Sequence, residues 1–201
     1  MQDITERARG EAALAEHVKQ LTILHELSQP VGFGLPLDDI TNTYLERLIR
    51  FPGFDMAHLY VLQGGTLRRL GVRSRMPLSI EPEPLVAVGE CLIGLAVEHG
   101  QLEYAPEIET GPHGSLPSCG APGIHSMAAL PLRSGEETLG ALAIGSTAHD
   151  AFADQLGFLE TIAGLIGGRL QNALLYQETR ERAAGLEEIG HALDDPSFDA
   201  S

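Results

Sequence analysis

The sequence predicts an α+β fold in which terminal helices cover one face of a central antiparallel β-sheet. Three observations support this class. Amphipathic helical patterns stand near both ends of the chain, apolar residues alternate with a period of two between them, and glycines or polar turns separate neighbouring strands at hairpin distance. Strands joined by tight turns pair antiparallel, and such a sheet needs helices to bury at least one face.

Composition narrows the class of protein further. The 201 residues suffice for one domain with flanking segments, and 28 acidic against 13 basic residues give a formal charge of −15. Nucleic acid and anionic membranes repel such a surface. No apolar run reaches the roughly 20 residues of a membrane span, and the amino terminus lacks a signal-peptide core. We therefore expect a cytoplasmic domain that contacts neither nucleic acid nor membrane.

Two helices are predicted before the first strand. The first covers residues 11–29, the second begins near Leu37, and a segment rich in proline and glycine separates them. Apolar residues recur at three- and four-residue spacing in both, which predicts an amphipathic first helix and one apolar stripe on the second. The stripes are Leu14, Val18, Leu21 and Leu24 in the first helix and Ile40, Tyr44, Leu48 and Phe51 in the second.

The middle of the chain predicts strands with one short helix. Residues 56–62 alternate in polarity, and Gly64-Gly65 turns the chain into a second strand. A short helix within residues 84–100 and a brief strand at 101–106 follow. Residues 106–123 hold eight prolines and glycines, a loop long enough to expect function or disorder.

A second hairpin, SMAALPL-RSGEE-TLGALAIGS, leads into the carboxy-terminal helix. One face of its second strand carries mostly small side chains, and the helix contains three glycines within five residues, each costing about 1 kcal/mol relative to alanine. We expect that this helix packs tightly against the small-residue face, leaving the opposite face for a guest molecule. The small face comprises Leu139, Ala141, Ala143 and Gly145, and the glycines are Gly164, Gly167 and Gly168.

Beyond Tyr176 the helix becomes polar and keeps a modest heptad spacing, which indicates a coiled coil. The pattern H-x-L-x-x-P occurs at His25 and again at His191, so we expect another domain to follow Ser201. The predicted organisation is a helical lead-in over residues 1–19, a folded domain over 20–178 and a signalling helix over 179–201.

Three stretches resemble the GAF domain family. They are GECLIGLAVEHGQLEYAPEI, GIHSMAALPLRSGEETLGALAIGS and AFADQLGFLETIAGLIGGRLQNALLYQE, and the last two are similar to GAF domains of sigma-54-dependent activators and sensor kinases. The resemblance implies a PAS-related antiparallel sheet with terminal helices on one face and a loop-covered pocket on the other. It also implies a homodimer through the terminal helices and a signal passed to a downstream effector domain.

Six residues are candidate ligand-binding residues. Arg69 can hold a small anion by bidentate hydrogen bonds, although a solvated strand face also explains the nearby arginines. His58 and Tyr60 share a strand face, which either lines the pocket or belongs to the core. The full candidate set is His58, Tyr60, Arg69, Cys119, His125 and Ser126.

Metal and chromophore sites are disfavoured. His113, Cys119 and His125 stand six residues apart, wider than usual metal-ligand spacing, so we expect no metal. The bilin-binding GAF domains carry histidine directly after their cysteine, whereas Gly120 follows Cys119 here. The residue set of the cyclic-nucleotide-binding members is not found, and the sequence identifies no cofactor.

We expect a small-molecule-sensing and dimerising regulatory GAF domain of a signal-transduction protein, and not an enzyme. Its ligand is an unidentified small molecule, with a small anion as one option. A ligand-free structural dimer is an alternative. A second alternative is free methionine sulfoxide reductase, a GAF-fold enzyme, with Cys119 as nucleophile and Cys91 near the other cysteine position. The carboxylates expected from that enzyme are replaced by Gly120 and by His125-Ser126.

Overall fold

The structure is a computed structural model that describes residues 2–29, 31, 35–78, 82–108 and 121–193. None of the helices in these ranges has the length and apolarity that crossing a bilayer requires. The elements over the same ranges are α1 (Gln2–Ser28), α2 (Leu37–Ile49), β1 (Met56–Gln63), β2 (Thr66–Ser74), β3 (Leu85–Ala87), α3 (Cys91–His99), β4 (Glu103–Ala105), β5 (Ser126–Ser134), β6 (Glu137–Ser146), a 3-10 turn (Ala153–Gln155) and α4 (Leu156–Leu193).

The six strands form one sheet in the order β3-β2-β1-β6-β5-β4, and every neighbouring pair is antiparallel. Two hairpins, β1–β2 and β5–β6, meet at the centre through β1 and β6. Gly64, Gly65 and Gly135 turn these hairpins with φ of +58°, +83° and +61°, a backbone region that favours glycine. The predicted α+β class and antiparallel sheet are thus confirmed.

Helices α1, α2 and α4 cover one face of this sheet, which we call the helical face. Their buried side chains and the large aliphatic residues of the strands form one apolar cluster. Burial of such side chains contributes about 25 cal/mol per Å², which makes this cluster the main stabilising layer. Representative members are Ile23, Leu27, Tyr44, Leu45, Leu59, Leu130, Leu142, Ile144, Leu159, Ile162 and Ile166.

The small-residue face of the sheet points away from the terminal helices, so the predicted packing of helix on alanine is wrong. Ala141 and Ala143 belong to a second apolar cluster with α3, whereas Leu142 and Ile144 contact the helices. The aliphatic face offers the helices more apolar area to bury than the alanine face does. Leu139 joins the helical cluster because a β-bulge shifts the register beside it.

Glycine in α4 nevertheless permits one close approach. A Cβ on Gly167 would lie 2.5 Å from the backbone oxygen of Arg133, whereas Gly164 and Gly168 have no such neighbour within 4 Å. The tight contact therefore joins α4 to the backbone at the end of β5, and one glycine of the three makes it.

The first predicted helix is present as α1, but most of its predicted apolar stripe is exposed and only Leu24 of the four packs against the helical cluster. Leu14, Val18 and Leu21 are 66%, 55% and 64% exposed, while Ile23 and Leu27 are buried. The three- and four-residue spacing marks a helical stripe but does not identify the partner that covers it. Among the α1 side chains that the structure describes, those buried on the helical face come from the last turns of the helix.

Helix α3 and the segment before it cover the alanine-rich face. The predicted short helix at residues 84–100 divides into β3, which extends the sheet beside β2, and α3. The brief predicted strand is β4, which pairs with β5. Residues 109–120 of the predicted functional loop, including Cys119, lie outside the described residues.

Candidate functional site

The candidate site lies on the alanine-rich face of the sheet, which we call the guest face. Strand alternation places His58 and Tyr60 of β1 on this face, and pairing puts Ala143 beside His58 and Ala141 beside Tyr60. Ala129 of β5 pairs with Ala143 and extends the row. Two polar rings therefore stand next to very small side chains in the middle of the sheet.

His58 is the most unusual residue of the guest face. Its side chain is fully buried, and among the described residues neither ring nitrogen has a hydrogen-bond partner. Burial, followed by the positive charge of Arg69, lowers the pKa of His58 to about 3. The ring is therefore neutral near pH 7 and carries one donor and one acceptor. Leaving such buried polar atoms without a hydrogen-bond partner lowers the stability of the fold by about 1–3 kcal/mol.

Tyr60 is also fully buried, with its ring centroid 6.3 Å from that of His58. Its hydroxyl donates to the backbone oxygen of Glu83 at 2.9 Å. Burial raises the pKa of Tyr60 to about 12, with Arg69 lowering the pKa and Glu83 raising it. The hydroxyl is thus a neutral group whose proton is used inside the protein and whose oxygen can accept another hydrogen bond.

Arg69 pairs with Tyr60 across β1 and β2 and is partly buried. Its Nη1 donates to the backbone oxygen of Pro82, and its backbone nitrogen donates to that of Pro84 at 2.8 Å. Together with the Tyr60 hydroxyl, three hydrogen bonds fasten residues 82–84 beside the guest face. Arg69, which the sequence predicts as an anion-binding residue, therefore holds a loop segment in this structure.

Ser126 and His125 make their contacts elsewhere. The buried hydroxyl of Ser126 donates to the Ala148 oxygen at 2.8 Å and accepts from the Ala151 nitrogen at 3.3 Å. His125 stacks on His149 with centroids 4.5 Å apart. The described contacts thus bring His58, Tyr60 and Arg69 together, whereas His125 and Ser126 contact the residues after β6, and Cys119 lies outside the described residues.

Cys91 is a guest-face residue whose state the sequence did not indicate. It is 7% exposed, packs in the cluster of the guest face and is disulfide-bonded. It also begins α3 with φ of +50°, a strained conformation for a non-glycine residue. The sequence holds one other cysteine, Cys119.

The loop segment that Tyr60 and Arg69 hold, residues 82–84, was not predicted from the sequence. Its contacts with these two residues depend on β3 joining the sheet edge. Within the ranges that the structure describes, no group of three His, Cys, Asp or Glu residues is arranged to hold a metal ion.

A single antiparallel sheet with the terminal helices on one face is an arrangement that this chain shares with solved GAF domains. The family model described as GAF domain matches residues 34–171, more than half of the chain. The chain belongs to the GAF domain family.

Solved structures with the same fold include GAF domains and an enzyme. The type II free methionine-R-sulfoxide reductase from Thermoplasma acidophilum is 22% identical over 71% of this chain and 96% of its own, with a TM-score of 0.53. The GAF domain of the phosphoenolpyruvate-protein phosphotransferase from Acinetobacter is 14% identical over 80% and 95%, with a TM-score of 0.61. The nlh2 GAF domain of A. aeolicus in an inactive state is 17% identical over 84% and 98%, with a TM-score of 0.58. At these identities the likeness concerns the fold alone, and no curated protein sequence matches the chain.

Proposed function

We propose that this chain is a small-molecule-sensing and dimerising regulatory domain of a signal-transduction protein, either a sigma-54-type transcriptional regulator or a sensor kinase. Residues 20–178 form the sensor, and residues 179–201 link it to a downstream effector domain. The observation that carries the proposal is His58, a fully buried ring with two unpartnered nitrogens on the guest face, as far as the described residues extend. Buried polar groups are normally hydrogen-bonded, and a bound guest supplies the missing partners.

The chemistry of the guest face defines what binds. Neutral His58 offers one donor and one acceptor, and the Tyr60 oxygen offers a second acceptor nearby. Arg69 adds positive charge, which favours a small molecule with an anionic or strongly electronegative group. The alanines of β5 and β6 leave the polar rings without bulky neighbours in the same rows.

Signalling follows from differential affinity for two packings of the terminal helices. β1 supplies His58 to the guest face and Leu59 to the helical face, so one strand contacts both clusters. A guest that binds better to one arrangement of β1 shifts the population of helix packings by that difference in affinity. The inactive state of the A. aeolicus domain is a property of that protein, but it is consistent with a two-state domain.

The test is a thermal-shift and calorimetry screen with small anions, nucleotides and cyclic nucleotides. A stabilising compound is expected to lose its effect in His58→Phe and Arg69→Ala. Arg73→Ala is the matched control because Arg73 lies on the same strand and pairs with Glu46 on α2. If no compound shifts the wild-type melting temperature, or if His58→Phe binds normally, the ligand-free structural dimer becomes the better description.

A second candidate function is reduction of free methionine sulfoxide. A specific observation favours it, since Cys91 is disulfide-bonded, strained at φ +50° and buried on the guest face. Strained residues concentrate at functional sites, and a reductase of this fold is among the structural relatives. In this alternative Cys119 acts as nucleophile and Cys91 as resolving thiol.

The reductase alternative has a direct assay. NADPH-coupled turnover of free methionine-R-sulfoxide is measured for wild type, Cys119→Ala and Cys91→Ala. Turnover in the wild type that disappears in Cys119→Ala establishes the enzyme. Absence of turnover in a freshly reduced wild-type sample removes this alternative and leaves the regulatory proposal intact.

A further inference from the structure

A cleft lies on the helical face, between the beginning of α2, the beginning of β2 and the part of α4 that follows Leu170. Its volume is about 510 Å³, within the usual range of small-molecule sites. Leu37 of α2 and Ala173 and Tyr176 of α4 provide an apolar lining. Because it is lined by α2 and α4, this cleft is distinct from the guest face, so it goes beyond the function proposed above.

Two arginines give the cleft its chemistry. Arg68 reaches it from β2 and Arg180 from α4, so the two guanidinium groups come from elements on either side. Arg68 and Arg69 are consecutive on a strand, and alternation sends one to this cleft and the other to the guest face. Guanidinium groups bind carboxylates and phosphates by paired, charge-assisted hydrogen bonds.

The balance of charge in the cleft is opposite to that of the molecule. The lining carries two positive charges, on Arg68 and Arg180, and one negative charge, on Asp38. Its net charge is therefore +1, in a chain whose formal charge is −15. A positive concave surface in an acidic protein attracts anions. Asp38 repels a second negative charge on the same ligand, so the lining suits a single negative charge better than a polyanion.

We propose that this cleft binds a monoanionic carboxylate with an apolar body. The carboxylate lies between Arg68 and Arg180, and the apolar body lies against Tyr176 and Leu37. A ligand held in this way connects β2 to the part of α4 that follows Leu170, the last α4 residue among the buried members of the helical cluster. The cleft is thereby a second input to the carboxy-terminal helix, independent of His58.

The experiment titrates 3-phenylpropionate into the isotopically labelled full chain and follows amide chemical shifts and calorimetric heat. The neutral 3-phenylpropionamide, which keeps the apolar body, is the matched ligand control. Because a charge-assisted hydrogen bond contributes about 1.5–3 kcal/mol, the amide and the variants Arg68→Gln and Arg180→Gln are each expected to bind at least about tenfold more weakly. Asp38→Asn is expected to bind more tightly than wild type.

His58→Phe separates this proposal from the guest-face proposal, because it is expected to leave 3-phenylpropionate affinity unchanged. Equal affinity for the acid and the amide overturns the cleft proposal, as does wild-type affinity in both arginine variants. No saturable binding of 3-phenylpropionate overturns it too. Circular dichroism of each variant confirms that the exposed substitutions leave the helices intact, and the acid–amide comparison needs no variant at all.

Discussion

Two neighbouring residues of β1 illustrate how strand alternation divides this molecule. His58 and Leu59 are adjacent in the chain, yet the first belongs to the guest face and the second to the helical face. Burial of Leu59 stabilises the folded state, whereas burial of His58 removes the hydrogen bonds that its nitrogens make with water in the unfolded chain. Such a local loss inside an otherwise consistent fold is typical of a functional position.

The free-energy cost of burying the unpartnered His58 nitrogens can be measured by substituting His58. His58→Phe replaces the ring by an apolar one, and we expect the free energy of unfolding without ligand to stay unchanged or to rise by about 1 kcal/mol, because no hydrogen bond is lost. Urea denaturation at pH 7 measures it. A decrease of more than about 2 kcal/mol would mean that the His58 nitrogens do have partners in the folded protein.

The titration of His58 gives an independent check. Its pKa is about 3 in the folded protein against 6.5 in the reference state, so below pH 6.5 the unfolded chain takes up a proton that the folded protein does not. The stability contributed by neutral His58 is therefore present above pH 6.5 and is lost as the pH falls toward 3. The wild type is expected to lose up to about 1.4 kcal/mol per pH unit more than His58→Phe in this window. Parallel stability curves for the two proteins would contradict the assignment.

At this scale the sequence predicted part of the candidate site. Alternation placed His58 and Tyr60 on one face, and the arginine cluster pointed to Arg69, because both patterns are local. The hydrogen bonds that hold residues 82–84 and the disulfide bond of Cys91 join segments distant in sequence, so no local pattern indicated them.

Helix α4 shows at the scale of an element why similar residues need not have similar roles. Gly164, Gly167 and Gly168 carry the same sequence signal, but of the three only Gly167 would bring an added Cβ within 4 Å of strand backbone. The sequence therefore predicted the close approach of α4 to the sheet but placed the helix on the wrong face. Which glycine makes the contact depends on helix rotation, and three glycines within five residues leave that rotation open.

A pair of alanine substitutions tests this difference. Gly167→Ala places a Cβ 2.5 Å from the Arg133 oxygen, so α4 must move and we expect a loss of about 1–3 kcal/mol. Gly164→Ala meets no atom within 4 Å and is expected to stabilise the helix by up to about 1 kcal/mol. Chemical denaturation of both variants at one pH provides the comparison. Equal effects of the two substitutions would contradict the described packing of α4.

The strand β3 shows that a very short element cannot be predicted from the sequence pattern. Three residues are too few for an alternation pattern, and α3 follows them almost at once. The two long hairpins were predicted because their turns and their alternation agree, so each observation supports the other.

The whole molecule combines a strongly acidic surface with exposed apolar residues on its terminal helices. Leu14, Val18 and Leu21 of α1 and Leu175 of α4 are all more than half exposed, and α1 contacts α4. Exposed apolar residues that lie close together are typical of interaction surfaces. Two copies of a chain with charge −15 repel each other, so we expect these apolar residues to form the contact in the proposed homodimer.

The proposed homodimer makes a testable prediction. Glutamate at Leu14, Val18 and Leu21 together is expected to convert a dimer into a folded monomer, because the new carboxylates face each other across the interface. Leu85→Glu is the control, since Leu85 is 60% exposed on the edge strand β3 and not on a terminal helix. Light scattering after size exclusion measures the mass. Added salt is expected to strengthen the wild-type dimer by screening repulsion. A monomeric wild type would refute the interface.

The sheet is a single layer, and this thickness has a mechanical consequence. The peptide unit between His58 and Leu59 is shared by the two faces of the sheet, so it cannot rotate or slide without altering packing on both sides. In the proposed function, a change at the guest face therefore reaches the helical face through one covalent link instead of a relay through many side chains.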